Sequence, residues 1–174
     1  MTGKVEIVEL DVDAARAAVP DLAGVLEDCV AGGASVSFMA PFSRNDAEAF
    51  FAGVADDVAA GKTVLLIARV DGWIAGTVQL GLATPPNQPH RGDVKKLLVH
   101  RAARKCGVGA ALMNALDEAA RARGRWLLVL DTVRGEAGER LYARAGWQRT
   151  GIIPDYALYP DGHLCDTVVF WKKV

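Results

Sequence analysis

The chain has 174 residues, 51% of them apolar and 24% charged, with a net charge of −1 at neutral pH. That length buries a full core as one domain over residues 1–174, and the balance is that of a water-soluble globular protein. No basic surplus is available for phosphate contacts and no apolar run reaches about 18 residues, so neither nucleic acid nor a membrane is an expected partner.

Along the chain, KVEIVEL alternates around Val5 and Ile7 and predicts a strand. A helical stretch follows, and Pro20 restarts it as a second helix carrying Leu22, Val25, Leu26 and Cys29 up to Gly32-Gly33. Ser43, with Asp46 three residues later, opens the next helix, and Gly61 closes it. Thr63–Val70 and Trp73–Ala83 read as two strands joined at Asp71-Gly72, a strong hairpin pair. The Pro-rich stretch 84–92 reads as a mobile, exposed loop and a candidate lip of a site.

Asp93–Val99 is a further predicted strand. It leads to a helix with Val108, Leu112, Ala115, Leu116 and Ala119 on one face, ended by Gly124. Trp126–Leu130 is a continuous apolar strand, and a helix with Ala137, Leu141 and Ala145 on one stripe ends at Gly146. Strands near Gln148–Ile153 and Thr167–Lys172 close the chain. This order predicts an α/β fold, a mixed sheet of six to seven strands flanked by helices with a right-handed strand-helix-strand crossover at its centre.

Cys29, Cys106 and Cys165 are few, odd in number and far apart, as free thiols are, and no paired Cys/His spacing or HExxH predicts a metal site. MTGKVEIVEL lacks the basic start and apolar stretch of a secretory signal, so a cytoplasmic location is expected.

The chemistry concentrates in Arg104-Lys105-Cys106-Gly107-Val108-Gly109-Ala110, between a strand and a long helix. Glycines at a helix entry let a ligand approach the backbone. The first amides of a helix have no internal partners and the dipole favours an anion there. Arg104 adds charge-assisted donors, so the run suits a pyrophosphate. A glycine turn needed for packing alone is the competing explanation. No Gly-Lys-Ser/Thr follows, which excludes a P-loop, and the three spaced glycines of a dinucleotide fold are missing.

Leu97-Leu98-Val99-His100, then Arg104-x-x-Gly107-x-Gly109, then Leu112-Met113 resembles the signature of GNAT acetyltransferases. Leu130-Asp131-Thr132, Ala137, Leu141-Tyr142 and Ala145-Gly146-Trp147 resemble that family's later motif, with Trp147 where phenylalanine is commoner. The stretch Gly32–Met39, Asp93 before Val94-x-Lys96-Leu97, and Tyr156–Gly162 look like the tabtoxin-resistance type, which acetylates a small amino-acid-like toxin. Asp93 stands where that type has glutamate, one methylene longer.

The resemblance implies a GNAT-like mixed fold that binds acetyl-coenzyme A as acyl donor on Arg104–Ala110, with the backbone of Leu98 and Val99 along its arm and at its carbonyl. It makes Tyr142 the candidate general acid to the departing sulfur. Asp93 and Asp131 are candidates for acceptor binding and base action, Asp131 lying at the C-terminal end of a predicted parallel strand where ligand crevices open. Ser35, Phe38 and Met39 are candidates to line the acceptor pocket, while Cys106 reads as a spacer. The implied activity is acetyl transfer to the amine or hydroxyl of a small molecule, toxin resistance included, in a monomer or homodimer. A protein or peptide acetyltransferase and a non-catalytic coenzyme A sensor are the alternatives.

Overall fold

Strand alternation and helix caps set the element order in the computed structural model, which describes residues 4–174. Strand β1 (Val5–Glu9) precedes helices α1 (Val12–Ala17) and α2 (Val19–Ala31). Asp11 caps α1 by accepting from the Ala14 amide, and Pro20 sits in the first turn of α2, where no amide is needed. Helix α3 (Arg44–Ala59) opens with a reciprocal capping box between Ser43 and Asp46. Strands β2 (Thr63–Val70) and β3 (Trp73–Gly81) form the expected hairpin, with Asp71 and Gly72 at φ 49° and 88°. Then come β4 (Arg91–Val99), a 3₁₀ turn at Arg101–Ala103, α4 (Val108–Arg121), β5 (Leu127–Val133), α5 (Ala137–Arg144), β6 (Gln148–Leu158) and β7 (Leu164–Lys173).

The strands form one seven-stranded sheet in the order β1-β2-β3-β4-β5-β7-β6. All neighbours are antiparallel except β4 and β5, which the α4 crossover makes parallel. One apolar cluster lies between the sheet and α4, through Leu112, Leu116, Val94, Leu128, Leu130 and Phe170. A second lies on the opposite face under α1–α3, through Leu22, Leu26, Phe51, Leu65, Ile67 and Leu98.

Two irregularities of β4 shape the molecule. The β4–β5 pairing runs only from Arg91–Leu127 to Asp93–Val129, so the C-terminal halves of both strands part and leave a cleft. On its other side, β4 pairs Lys95 with Gln79 and Leu98 with Thr77, so Lys96 and Leu97 stand opposite Val78 alone. This bulge puts Lys96 at φ 50°, a left-handed conformation that disfavours a side chain, and turns that side chain out of the strand's alternation.

Three expectations need correction. Residues 84–92 are not a free lip: they lie at the N-terminal end of β4, where β4 and β5 are still paired, opposite to the cleft, and Arg91 already belongs to β4. Arg125 pins the connection by donating to the carbonyls of Leu82, Pro89 and Arg91 and to Thr84 Oγ1. Arg125→Met should therefore lower unfolding stability by about 1–3 kcal/mol, because several partly buried acceptors lose a charged donor. An unchanged urea midpoint would contradict that role.

The last two strands are also longer than expected. A wide bulge at Pro154–Tyr156 absorbs the proline, with Asp155 donating its amide to Asp166, and pairing resumes at Ala157–Cys165. On α5, Leu141 and Ala145 of the expected stripe pack half-buried against the core, but Ala137 is exposed and the fully buried residue is Tyr142.

Candidate functional site

Val99 ends β4, and the turn at Arg101–Ala103 leads to α4 through a loop with Lys105 and Gly107 at φ 63° and 80°. Those two left-handed residues curl the backbone. Among the described residues, no amide from Lys105 to Ala110 donates to another group of the chain; the first amide of α4 to find a partner is that of Ala111, on Gly107 O. Six consecutive donors thus point at nothing in the protein, at the positive end of a 14-residue helix. No atom lies within 4 Å of where a Gly107 side chain would begin, whereas one at Gly109 would press on Leu141. These are the features of an anion seat.

The loop is held from α2. Asp28 accepts from the Arg101 amide and Nε, both at 2.8 Å, with His100 Nε2 at 3.5 Å. Burial pushes the Asp28 carboxyl up, but the Arg101 hydrogen bonds and the neighbouring positive charges outweigh it and hold it below the usual carboxylate range. Arg101 is therefore an anchor of the loop. Arg104 folds back, donating Nε to Val99 O at 3.2 Å, with Nη2 4.0 Å from Cys29 Sγ. Lys105 and Cys106 are exposed, Val108 is buried against the sheet, and Gly109 and Ala110 form the first turn of α4.

The cleft edge of β4 continues this seat. His100 donates to Ala75 O in β3, and Leu98 O crowds Gly76. By strand alternation Leu98 thus gives its backbone to β3, and Val99 turns its own amide to the open edge. Of the two residues expected to offer backbone there, the structure leaves only Val99 free to do so.

Asp93 and Asp131 share a face. Val94 and Leu130 enter the core under α4, so their neighbours Asp93 and Asp131 project to the α2–α3 side. Asp93 stands on the last paired rung and is ion-paired with Arg91. Asp131 lies two residues beyond that rung, inside the cleft, and accepts from Thr167 Oγ1 at 2.8 Å. Tyr142 reaches the cleft from the opposite face. Gly138 allows this, because any side chain there would meet Thr132 Oγ1 at 2.6 Å and keep α5 off β5. Burial, and then the charge of Asp131, push the Tyr142 phenol far above its ordinary pKa.

The segment between α2 and α3 covers the α2–α3 side of the cleft. Ser35 Oγ donates to Leu158 O at 2.6 Å and the Ala40 amide to Pro160 O at 3.0 Å, which fastens the segment to the β6–β7 hairpin. Phe38 packs on Phe42 and Phe50, while Met39 stays exposed. Beneath them Lys96 Nζ donates to Ser37 Oγ at 2.8 Å and lies 5.8 and 5.9 Å from the Phe38 and Phe50 rings. Thr167 does not stand out in the sequence, and Lys96 enters it only as part of the Val94-x-Lys96-Leu97 stretch, with no role of its own.

Comparison with known proteins follows the same lines. The sequence model of the family described as "Acetyltransferase (GNAT) domain" matches residues 61–149, just over half of the chain. An uncharacterized N-acetyltransferase from the hisH-hisA intergenic region of Azospirillum brasilense is 33% identical over 113 residues. That match spans 64% of this chain and 66% of the relative, just under two thirds of its length. An N-acetyltransferase from Staphylococcus aureus superposes with a TM-score of 0.80 at 16% identity over 98% of both chains. A Salmonella typhimurium protein whose structure holds its cofactor acetyl-CoA superposes with a TM-score of 0.78 at 18% identity, over 97% of this chain and 93% of that one. At such identities these two structures speak for the fold.

Proposed function

The chain belongs to the GNAT acetyltransferase family, and on that premise we propose that it moves an acetyl group from acetyl-coenzyme A to the amine or hydroxyl of a small molecule. The observation that carries this reading is the run of six unpartnered amides from Lys105 to Ala110, set at the mouth of the β4–β5 cleft. An open pocket of donors at a helix N-terminus fits a pyrophosphate, and the parted strands fit a narrow arm.

Bound there, the coenzyme would supply an activated thioester. Residues 105–110 and Arg104 would hold its phosphates, and the Val99 amide would meet the carbonyl oxygen as negative charge builds on it. Asp131, kept in orientation by Thr167, would receive the acceptor's ammonium and pass its proton on through water. Asp93, already ion-paired with Arg91, suits acceptor binding at the base of the cleft better than proton transfer. Tyr142 would donate to the sulfur as it leaves.

A small acceptor is favoured because the Ser35 and Ala40 tethers draw the Phe38 segment over the cleft, where a peptide acceptor needs an open groove. The same segment supports the tabtoxin-resistance type within the family. Calorimetric titration with acetyl-coenzyme A, followed by thiol release against small amines and amino-acid-like toxins, tests the proposal. Saturable binding near one site per chain with release for some acceptor is expected. No binding would end the proposal, and binding without release would favour the sensor or a protein acceptor.

A further inference from the structure

Of the two half-buried lysines, Lys172 is tied to Asp117 at 2.6 Å, but no carboxylate stands at that range from Lys96 among the described residues. Asp131 acts on Lys96 only through space, without a hydrogen bond. An ammonium has three donors, and the Ser37 hydroxyl takes one of them. Phe38 and Phe50 stand beside the remaining surface at cation–π distances, which orient a cation without neutralising it. The strand also accepts an unfavourable backbone conformation at position 96, and the resulting bulge is what aims the side chain into the acceptor side of the cleft.

We propose that Lys96 is a specificity-determining residue that selects acceptors carrying an anionic group, such as a carboxylate, near the nucleophilic amine or hydroxyl. The inference rests on reading the cleft as an acetyl-transfer site. A half-buried cation with no carboxylate in contact is costly, and an anion supplied by the acceptor lowers that cost on binding. Asp131 and Lys96 together then offer one negative and one positive contact from neighbouring strands. A zwitterionic acceptor meets both, whereas a purely cationic amine meets Asp131 and is repelled by Lys96.

The test compares primary amines in matched pairs, each carboxylate against its carboxamide: the common α-amino acids, β-alanine and γ-aminobutyrate. Wild-type protein should use the carboxylate member of an accepted pair about tenfold to a hundredfold better in kcat/KM, the range of a charge-assisted hydrogen bond. Lys96→Met keeps the length and packing and should bring the two members together. Lys96→Arg, which keeps the charge, should retain the preference. Calorimetric binding of the same pairs to the protein saturated with coenzyme A gives a readout independent of turnover. A preference that survives Lys96→Met in the folded variant, or pairs that wild-type protein uses alike, binds alike or does not bind, would overturn the assignment. If pairs bind with the expected preference yet no acetyl moves, the Lys96 assignment stands and the transfer reading fails.

Discussion

Gly107→Asp is expected to weaken acetyl-coenzyme A binding by more than about a thousandfold while the protein stays folded. Gly107 sits at φ 80°, where any other residue is strained by about 1–2 kcal/mol, a loss that a domain of this size survives. Nothing in the protein lies within 4 Å of the added carbon, so the core is not disturbed. The open space that makes the change harmless to the fold is the proposed seat of the pyrophosphate. An aspartate there would take the free amides of residues 105–110 for itself and set its charge against the phosphates. Losing two charge-assisted hydrogen bonds at about 1.5–3 kcal/mol each already accounts for a factor near a thousand, before repulsion is counted. Gly107→Ala carries the backbone strain and a methyl group without the charge, and should cost only about tenfold. Calorimetry on both variants, with thermal melts to show that they fold, separates the two effects. Ordinary affinity in a folded Gly107→Asp protein would mean that the loop binds no phosphate.

The glycine loop between β4 and α4 was legible in the sequence because everything it needs is local: a left-handed glycine, a helix that starts beside it, and the strand before it. Helix caps and the Asp71-Gly72 hairpin were legible for the same reason. The α2–α3 side of the cleft was not, because long-range pairing makes it. Lys96 points into the cleft only because β3 offers one residue against two of β4. Thr167 meets Asp131 only because β7 inserts between β5 and β6, an order that chain sequence does not announce. Asp93 read as a site carboxylate from its position alone; its partner Arg91, two residues back on the same face, lay inside what read as a loop. The opening of β4 from β5 after Asp93 and Val129, on which the whole site depends, left no mark in either strand's composition.

Tyr142→Phe should lower kcat by about tenfold to a hundredfold, the range of a charge-assisted hydrogen bond to the departing sulfur, with the acetyl-coenzyme A dissociation constant unchanged. The phenol is 6% exposed; burial and the Asp131 charge both disfavour its ionised form. It therefore stays protonated through the ordinary pH range and has a proton to offer in a hydrogen bond. A free thiol ionises near pH 8.5, so the phenol is the weaker acid of the two. On the proposed mechanism Tyr142 would then stabilise the leaving thiolate mainly by a hydrogen bond rather than by giving up its proton, and the wild-type rate profile should show no alkaline limb from Tyr142 below about pH 10. The same shift has a consequence for stability. The folded pKa lies above the unfolded value, so the contribution of Tyr142 is fully present below about pH 10 and is lost as pH rises from there toward the folded value. Tyr142→Phe lacks that titration, so its stability should decline less steeply above pH 10, as denaturant melts at a series of pH values would read. A variant with the flatter alkaline stability but wild-type kcat would leave Tyr142 a core residue whose hydroxyl takes no part in the reaction.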